Sequence, residues 1–295
     1  MGSNQNVMGR YQLPQIPPAM RMEGITDADL ELVHIKFPSF PRSPVDVPSS
    51  CVTCGGRKVF KWWTYSPQHE EGEVAEYLCP CPDQWFLHAC FYHANIGARY
   101  QKLSWRDALH VENDARALVW DYLNDGEARV KAGAGFIFTS ETGGNGKTLL
   151  SALLLKGLIG RGFDGYFCTF AEMIDTYAGG WYDRETKAVF HSRILNARVL
   201  VLDDVGKEWK GKNLGLTEAT FDTVIRHRVN NGLPTFVTTN LSVDQLGQGY
   251  GGSVLSLLAE TCVEVPMIGE SFRTQAKDRL LYETRLGLTR PIVVG

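Results

Sequence analysis

The sequence has no uninterrupted apolar stretch near the ~20 residues that a membrane-spanning helix needs. Its opening stretch, MGSNQNVMGRYQLPQIPP, holds no apolar core of the secretory kind. No internal repeat and no low-complexity tract is present. Charge of one sign is also lacking: 30 basic residues face 33 acidic ones, for a net charge of −3. A generally basic nucleic-acid coat is thereby excluded, and only a local patch could serve that purpose. Together these absences point to a cytoplasmic protein that stays off membranes. What is present suits a globular chain, with 44% apolar residues over a length of 295, enough for one large domain or two moderate ones.

The composition is uneven. Of the 13 prolines, seven fall before residue 50: Pro14, Pro17, Pro18, Pro38, Pro41, Pro44 and Pro48. Five of the seven cysteines fall next: Cys51, Cys54, Cys79, Cys81 and Cys90. Beyond them, apolar strands alternate with helical patterns. The expected organisation is a proline-rich leader at 1–50 and a cysteine module with a connecting helix at 51–109. An α/β domain at 110–273 and a basic tail at 274–295 follow. Proline resists both helix and central strand, so the leader reads as extended, with one short helix starting at Thr26. That leader is either disordered or an arm that docks on a partner.

Strands are expected at 135–140, 166–170, 197–203 and 234–239, and helices at 146–158, 171–177 and 217–230. Such alternation implies a parallel sheet covered on both faces. The most informative stretch lies between the first strand and the first helix. Gly143, Gly144 and Gly146 would let backbone N–H groups turn in around phosphate oxygens, and the helix would point its positive end at the same anion. Asn145 and Leu149 complete the loop and first turn. Lys147 would reach the β- and γ-phosphates of a nucleotide, and Thr148 would place its hydroxyl on Mg²⁺. One position departs from G-x-x-x-x-G-K-[ST]: Glu141 stands where the first glycine belongs, which puts the loop's entry turn in question.

A later apolar strand ends in Asp203 and Asp204. The first acid would hold Mg²⁺ and the second would orient the attacking water. Alternation along a strand would send these neighbours to different faces. The following strand ends in Thr238, Thr239 and Asn240, where a polar side chain could contact the γ-phosphate or the water.

The cysteines suggest a metal. Cys51 and Cys54 form a C-x-x-C knuckle and Cys79 and Cys81 a C-x-C, with 24 residues between the pairs. Two such pairs can complete a tetrahedral S₄ zinc site with no open coordination position, hence a structural one. His88 and Cys90 compete for the fourth place. The alternative is four unliganded thiols.

The set GGNGKT (143–148), LVLDDVG (200–206), RHRVNNGLPTFVTTN (226–240) and GESFR (269–273) resembles the AAA+ ATPases that load replicative helicases, the DnaC/DnaI kind. The resemblance spans roughly 51–273 and implies a RecA-like AAA+ P-loop domain preceded by a small zinc-binding domain. By that resemblance Lys147 and Thr148 are the Walker A pair, and Asp203 and Asp204 the Walker B acids. Asn240 is sensor 1 and Arg273 the sensor-2 arginine, while Tyr100 and Leu103 lie against the adenine. The implied cofactors are ATP, Mg²⁺ and Zn²⁺. The implied partners are a DnaB-type helicase, single-stranded DNA and further copies of the chain, in a bacterial or phage setting. DnaI-like loaders grip the helicase with a zinc module and DnaC-like ones with a helical region; this chain has candidates for both.

One family residue is missing. No arginine or lysine occurs in 247–260, where the loaders carry a finger that reaches the neighbouring subunit's ATP. Either Arg226 or Arg228 substitutes, or hydrolysis is weak and ATP serves to bind and assemble. For DNA, Lys207, Trp209, Lys210 and Lys212 form a basic patch with a stacking group, or else a solvated charged loop. Two rivals share the core motifs: a transposition-helper ATPase of the IstB or TnsC kind, and a non-catalytic zinc adaptor.

Overall fold

The computed structural model of the chain describes residues 51–66, 69–206 and 214–295. The leader with its helix from Thr26, and the basic patch from Lys207 to Lys212, lie outside these described residues. Two compact units are present: 51–90 with 275–294, and 91–274 with Gly295. Among the described residues no helix is long and apolar enough to cross a membrane.

In the first unit the chain turns through Cys51–Cys54 with Gly55, Gly56 and Lys58 all at positive φ. It then forms an antiparallel ribbon of β1 (Val59–Ser66) and β2 (His69–Leu78), with Val59 opposite Leu78 and Thr64 opposite Glu73. Helix α1 (Cys81–His93) follows. Gln84, almost wholly buried, donates to the Ile292 carbonyl at 3.0 Å and accepts from the Ile292 N–H at 2.7 Å. The stretch read as a basic tail is therefore a folded part of this unit. Its Arg279 and Arg290 both bond the buried Glu283, at 3.2 and 2.7 Å, and Arg290 also lies over the Trp62 ring.

The second unit is built on five parallel strands: β3 (Gly135–Thr139), β4 (Gly165–Thr169), β5 (Val199–Val205), β6 (Thr235–Thr239) and β7 (Cys262–Pro266), in the order β4-β5-β6-β3-β7. Its helices in chain order are α2 (Ala98–Gln101), α3 (Asn113–Asn124), α4 (Gly126–Lys131), α5 (Lys147–Gly160), α6 (Phe170–Gly179), α7 (Arg184–Val189), α8 (Leu214–Asn230), α9 (Val243–Tyr250) and α10 (Gly252–Thr261). Helix α11 (Arg273–Arg285) begins here and ends in the first unit. Insertion of β6 between the P-loop strand and the acid strand is the order of a RecA-like AAA+ sheet, so the expected fold class is the one observed.

Side chains alternate across the sheet as period-2 strands require. Phe136, Phe138 and Phe236 pack on one face with Tyr122 of α3, at ring separations of 5.3–5.9 Å. Ile137, Leu200, Leu202 and Val237 join Phe170, Phe221 and Tyr250 on the other. Helix α5 is apolar on nearly every side and is buried accordingly. The seven elements expected at 135–239 are all present, with ends displaced by no more than three residues. The β1–β2 ribbon, β7 and α11 were not anticipated.

Edge strand β4 is held by Ala94, which follows α1 and belongs to the second unit: the Phe167 N–H donates to its carbonyl at 2.8 Å. Nearby His93 contacts Arg193, which pairs with Asp164 at 3.6 Å. Burial, then the Arg193 charge, lowers His93 from 6.5 to about 4. The native ring is thus neutral, while the unfolded ring takes up a proton below its ordinary value. This group's stabilisation is complete above pH 6.5 and is lost as the pH falls toward 4. Thermal melts of wild type and His93→Gln should therefore converge between pH 7 and 4.5; a constant gap would contradict the assignment.

Candidate nucleotide and metal sites

The P-loop joins β3 to α5. No glycine is needed at Glu141, because among the described residues the only non-glycine positions at positive φ are Lys58, Asn95 and Asp204. The entry turn is closed instead by the Ser140 hydroxyl, which accepts from the Thr142 N–H at 3.2 Å. Further on the backbone does require glycine. Gly144 and Gly146 have φ of +92° and +100°, and a Cβ would overlap the Ser271 hydroxyl at the first and Val111 at the second. Asn145 fixes the loop to β7's exit by donating to the Met267 carbonyl at 2.8 Å. The buried Lys147 ammonium rests on the Thr142 carbonyl (3.1 Å) and Asn145 Oδ1 (3.2 Å). Phosphate oxygens fit the same donor. Leu149 sits half-buried in the first turn of α5.

The segment GESFR lies directly on this loop. The Phe272 N–H donates to the Gly144 carbonyl at 3.0 Å, and Arg273 places a guanidinium nitrogen 3.7 Å from where a Gly143 Cβ would be. A cation thus stands beside the phosphate cradle within the same chain.

The acids are arranged by a bulge. Leu202 pairs with Val237, but the next pairing is Val205 with Thr239. Asp203 and Asp204 therefore both face Thr238, and strand alternation is broken there. The Thr238 hydroxyl donates to Asp203 Oδ1 at 2.6 Å and accepts from the Asp204 N–H at 2.9 Å. Asp204 adopts φ +62°, a conformation costing on the order of 1 kcal/mol in a non-glycine residue. Asp203 is buried and takes a second bond from the Thr148 hydroxyl at 3.3 Å. The Thr148 hydroxyl and the Asp203 carboxylate are thus in contact, the pairing that the expected Mg²⁺ site requires. Asn240 follows β6, and its buried Oδ1 has no hydrogen-bond partner among the described residues. An orphaned polar atom at this strand end fits a site that takes a polar ligand.

Burial, then Asp203, raises the pKa of Tyr100, and its carbonyl accepts from the buried Lys156 ammonium at 3.1 Å. The Leu103 carbonyl accepts from the same ammonium.

Of the two substitute arginines, Arg228 is fully buried. It donates to Thr235 Oγ1 and the carbonyls of Ile194, Leu195, Ala197 and Pro234, at 2.7–3.1 Å. It braces the sheet and cannot reach a neighbouring subunit. Arg226 is exposed and pairs with Asp222 at 2.7 Å.

In the first unit, one sulfur from each of Cys51, Cys54, Cys79 and Cys81 lies within 4.8 Å of the others. The Cys51–Cys79 and Cys54–Cys81 sulfurs are 3.7 and 3.5 Å apart. A tetrahedron with Zn–S bonds of about 2.3 Å has edges of about 3.8 Å, so the spacing fits zinc. His88 and Cys90 are not in this group. Desolvation raises Cys79 and lifts Cys81 to about 11. Cys54 also feels burial, but hydrogen bonds led by Cys81 outweigh it and bring the thiol down to about 7. Four crowded sulfurs ionise together only around a cation. The chain should carry one zinc per molecule by elemental analysis. Cys54→Ser combined with Cys81→Ser should abolish it and lower the melting temperature; full zinc retention would refute the site.

No protein-family model and no curated protein matches this chain. Among solved structures it is similar to the crystal structure of the DnaC helicase loader, at 25% identity and a TM-score of 0.49, covering 58% of this chain and 100% of that one. It is likewise similar to the crystal structure of DnaI, at 19% identity and 0.49, covering 58% and 94%. A third is the replication initiator DnaA bound to AMPPCP and single-stranded DNA, at 15% identity and 0.49, covering 64% and 56%. The loaders that the motifs resemble are thus among the solved structures to which the chain is similar.

Proposed function

We propose that this chain is a cytoplasmic, ATP-dependent loader that delivers a DnaB-type replicative helicase to single-stranded DNA during replication initiation. The observation that carries the reading is one constellation at the C-terminal end of the sheet. Lys147, Thr148, Asp203, Asp204, Asn240 and Arg273 meet there, in a chain whose motif set resembles the loaders. The P-loop backbone, Lys147 and Arg273 would hold the triphosphate of ATP, and Thr148 and Asp203 the Mg²⁺. When bound, that ion would neutralise charge developing on the phosphates. Asp204 and Asn240 would orient the attacking water.

Slow turnover is part of the proposal. With Arg228 buried and 247–260 free of basic residues, only Arg226 is left of the two substitutes. A finger supplied in trans is worth about 10³–10⁵ in rate, so its absence would leave ATP mainly as an assembly ligand for copies of the chain. A four-cysteine module in the same chain as the P-loop domain favours the loader over the transposition helper. For single-stranded DNA, Trp181 and Tyr182 are 61% and 89% exposed ahead of Arg184, offering stacking faces with a nearby cation.

Mixing the chain with a DnaB-type helicase, with and without ATP, and weighing the complexes in solution tests this. A defined complex that needs ATP and is lost in Lys147→Ala is the expected result. No complex in any nucleotide state would overturn the loader reading, and ATP-dependent filaments on double-stranded DNA would favour the transposition helper.

A further inference from the structure

Asn145 is almost wholly buried in the P-loop. A side-chain amide has two N–H donors and one acceptor oxygen, and here both kinds are engaged. Nδ2 donates to the Met267 carbonyl at 2.8 Å and to the Ser140 hydroxyl, while Oδ1 accepts from the Lys147 ammonium at 3.2 Å. A flipped amide would set its oxygen against the Met267 carbonyl and its N–H groups against the ammonium. The neighbours therefore fix its orientation.

Met267 opens the connection from β7 to α11, and that connection is stitched to the P-loop along its length. The Met267 N–H donates to the Thr139 carbonyl at 2.7 Å, and the Phe272 N–H to the Gly144 carbonyl at 3.0 Å. Between them the Thr142 hydroxyl donates to the Gly269 carbonyl at 3.2 Å. The Ser271 hydroxyl lies over Gly144, 2.3 Å from where a Cβ would be. Arg273, the first residue of α11, is thus carried to the cradle by a strap laid on the loop itself. These ties differ in depth. The Thr142–Gly269 bond is at the surface, where water can replace it, whereas the Asn145–Met267 bond is buried. A buried acceptor left without its donor costs more than the bond contributes. The Asn145 amide is the root of the strap as well as a seat for Lys147.

We propose that Asn145 is a positioning residue for both cations of the nucleotide site: its amide oxygen seats the Lys147 ammonium, and its N–H groups anchor the strap that presents Arg273. This rests on the reading of the site as an ATP site, and it makes Lys147 and Arg273 act on the phosphates together rather than one by one. The Asn145 side chain acts through these two groups.

Titrating the full chain with a fluorescent ATP analogue in Mg²⁺, for wild type, Asn145→Ala, Arg273→Ala and the double variant, tests this. In the wild-type background Arg273→Ala should weaken binding about tenfold or more, the worth of one hydrogen bond to a charged group. Asn145→Ala should weaken it at least as much, because both cations lose their seat. Adding Arg273→Ala to Asn145→Ala should then cost less than about threefold, since residues that share one network are not additive. A fold that is merely loosened would leave the two losses multiplicative. If Asn145→Ala does not melt cooperatively, Asn145→Ser, which shortens the side chain but keeps a polar group in the buried site, takes its place in the cycle. Wild-type affinity in the Asn145 variant, no loss in Arg273→Ala, or fully multiplicative losses would each overturn the proposal. Failure of the wild type to bind the analogue at all would instead overturn the nucleotide reading beneath it.

Discussion

The Asp203 carboxylate is the point on which the second unit converges. One oxygen accepts a hydrogen bond from Thr238 on β6 and the other from Thr148 on α5, while the residue itself lies near the end of β5. Three elements far apart in sequence are thereby tied to one buried charge. Such an acid needs polar partners to be tolerated away from water. A hydrogen bond to a charged group contributes about 1.5–3 kcal/mol, enough to hold the β5 bulge that turns Asp204 to positive φ. The arrangement proposed to hold an ion is thus the same one that closes the end of the sheet.

Around that point the fold supplies cations at graded depths. Lys147 is buried on its own loop, Arg273 is exposed at the mouth, and Lys156 is enclosed behind α2. Arg228, with five neutral acceptors, acts only on the sheet's other flank. Its neighbours are carbonyls and one hydroxyl rather than carboxylates, so it stiffens strand ends without offsetting the acids. Desolvation lowers its pKa to about 9.

Much of the second unit was legible because its signals are local. Apolar runs mark β3 and β5, β-branched residues around Phe236 mark β6, and the glycines before Lys147 need no distant partner to be read. The bulge was not legible, since a two-against-one pairing depends on which strand lies alongside. The buried Arg228 could have been found: with Phe221, Val224 and Ile225 it follows the i, i+3, i+4, i+7 spacing of one helix face, whereas Arg226 falls on the opposite side. Charge type suggested the surface, and periodicity pointed inward. The cysteine spacing pointed to the four-sulfur cluster but not to α11 and the final residues completing that unit. Their contacts, such as Gln84 with Ile292, join positions 208 residues apart.

The most direct test of the central claim is the Mg²⁺-dependent affinity of Thr238→Val for a fluorescent ATP analogue, with Thr238→Ser as control. Valine keeps the shape and removes the hydroxyl that holds both Asp203 and the Asp204 N–H. An affinity loss of about tenfold or more, consistent with one charged hydrogen bond, in a chain that still melts cooperatively, is the predicted result, with serine close to wild type. Unchanged affinity in Thr238→Val would show that Asp203 does not need this partner, and the account of the site would fail.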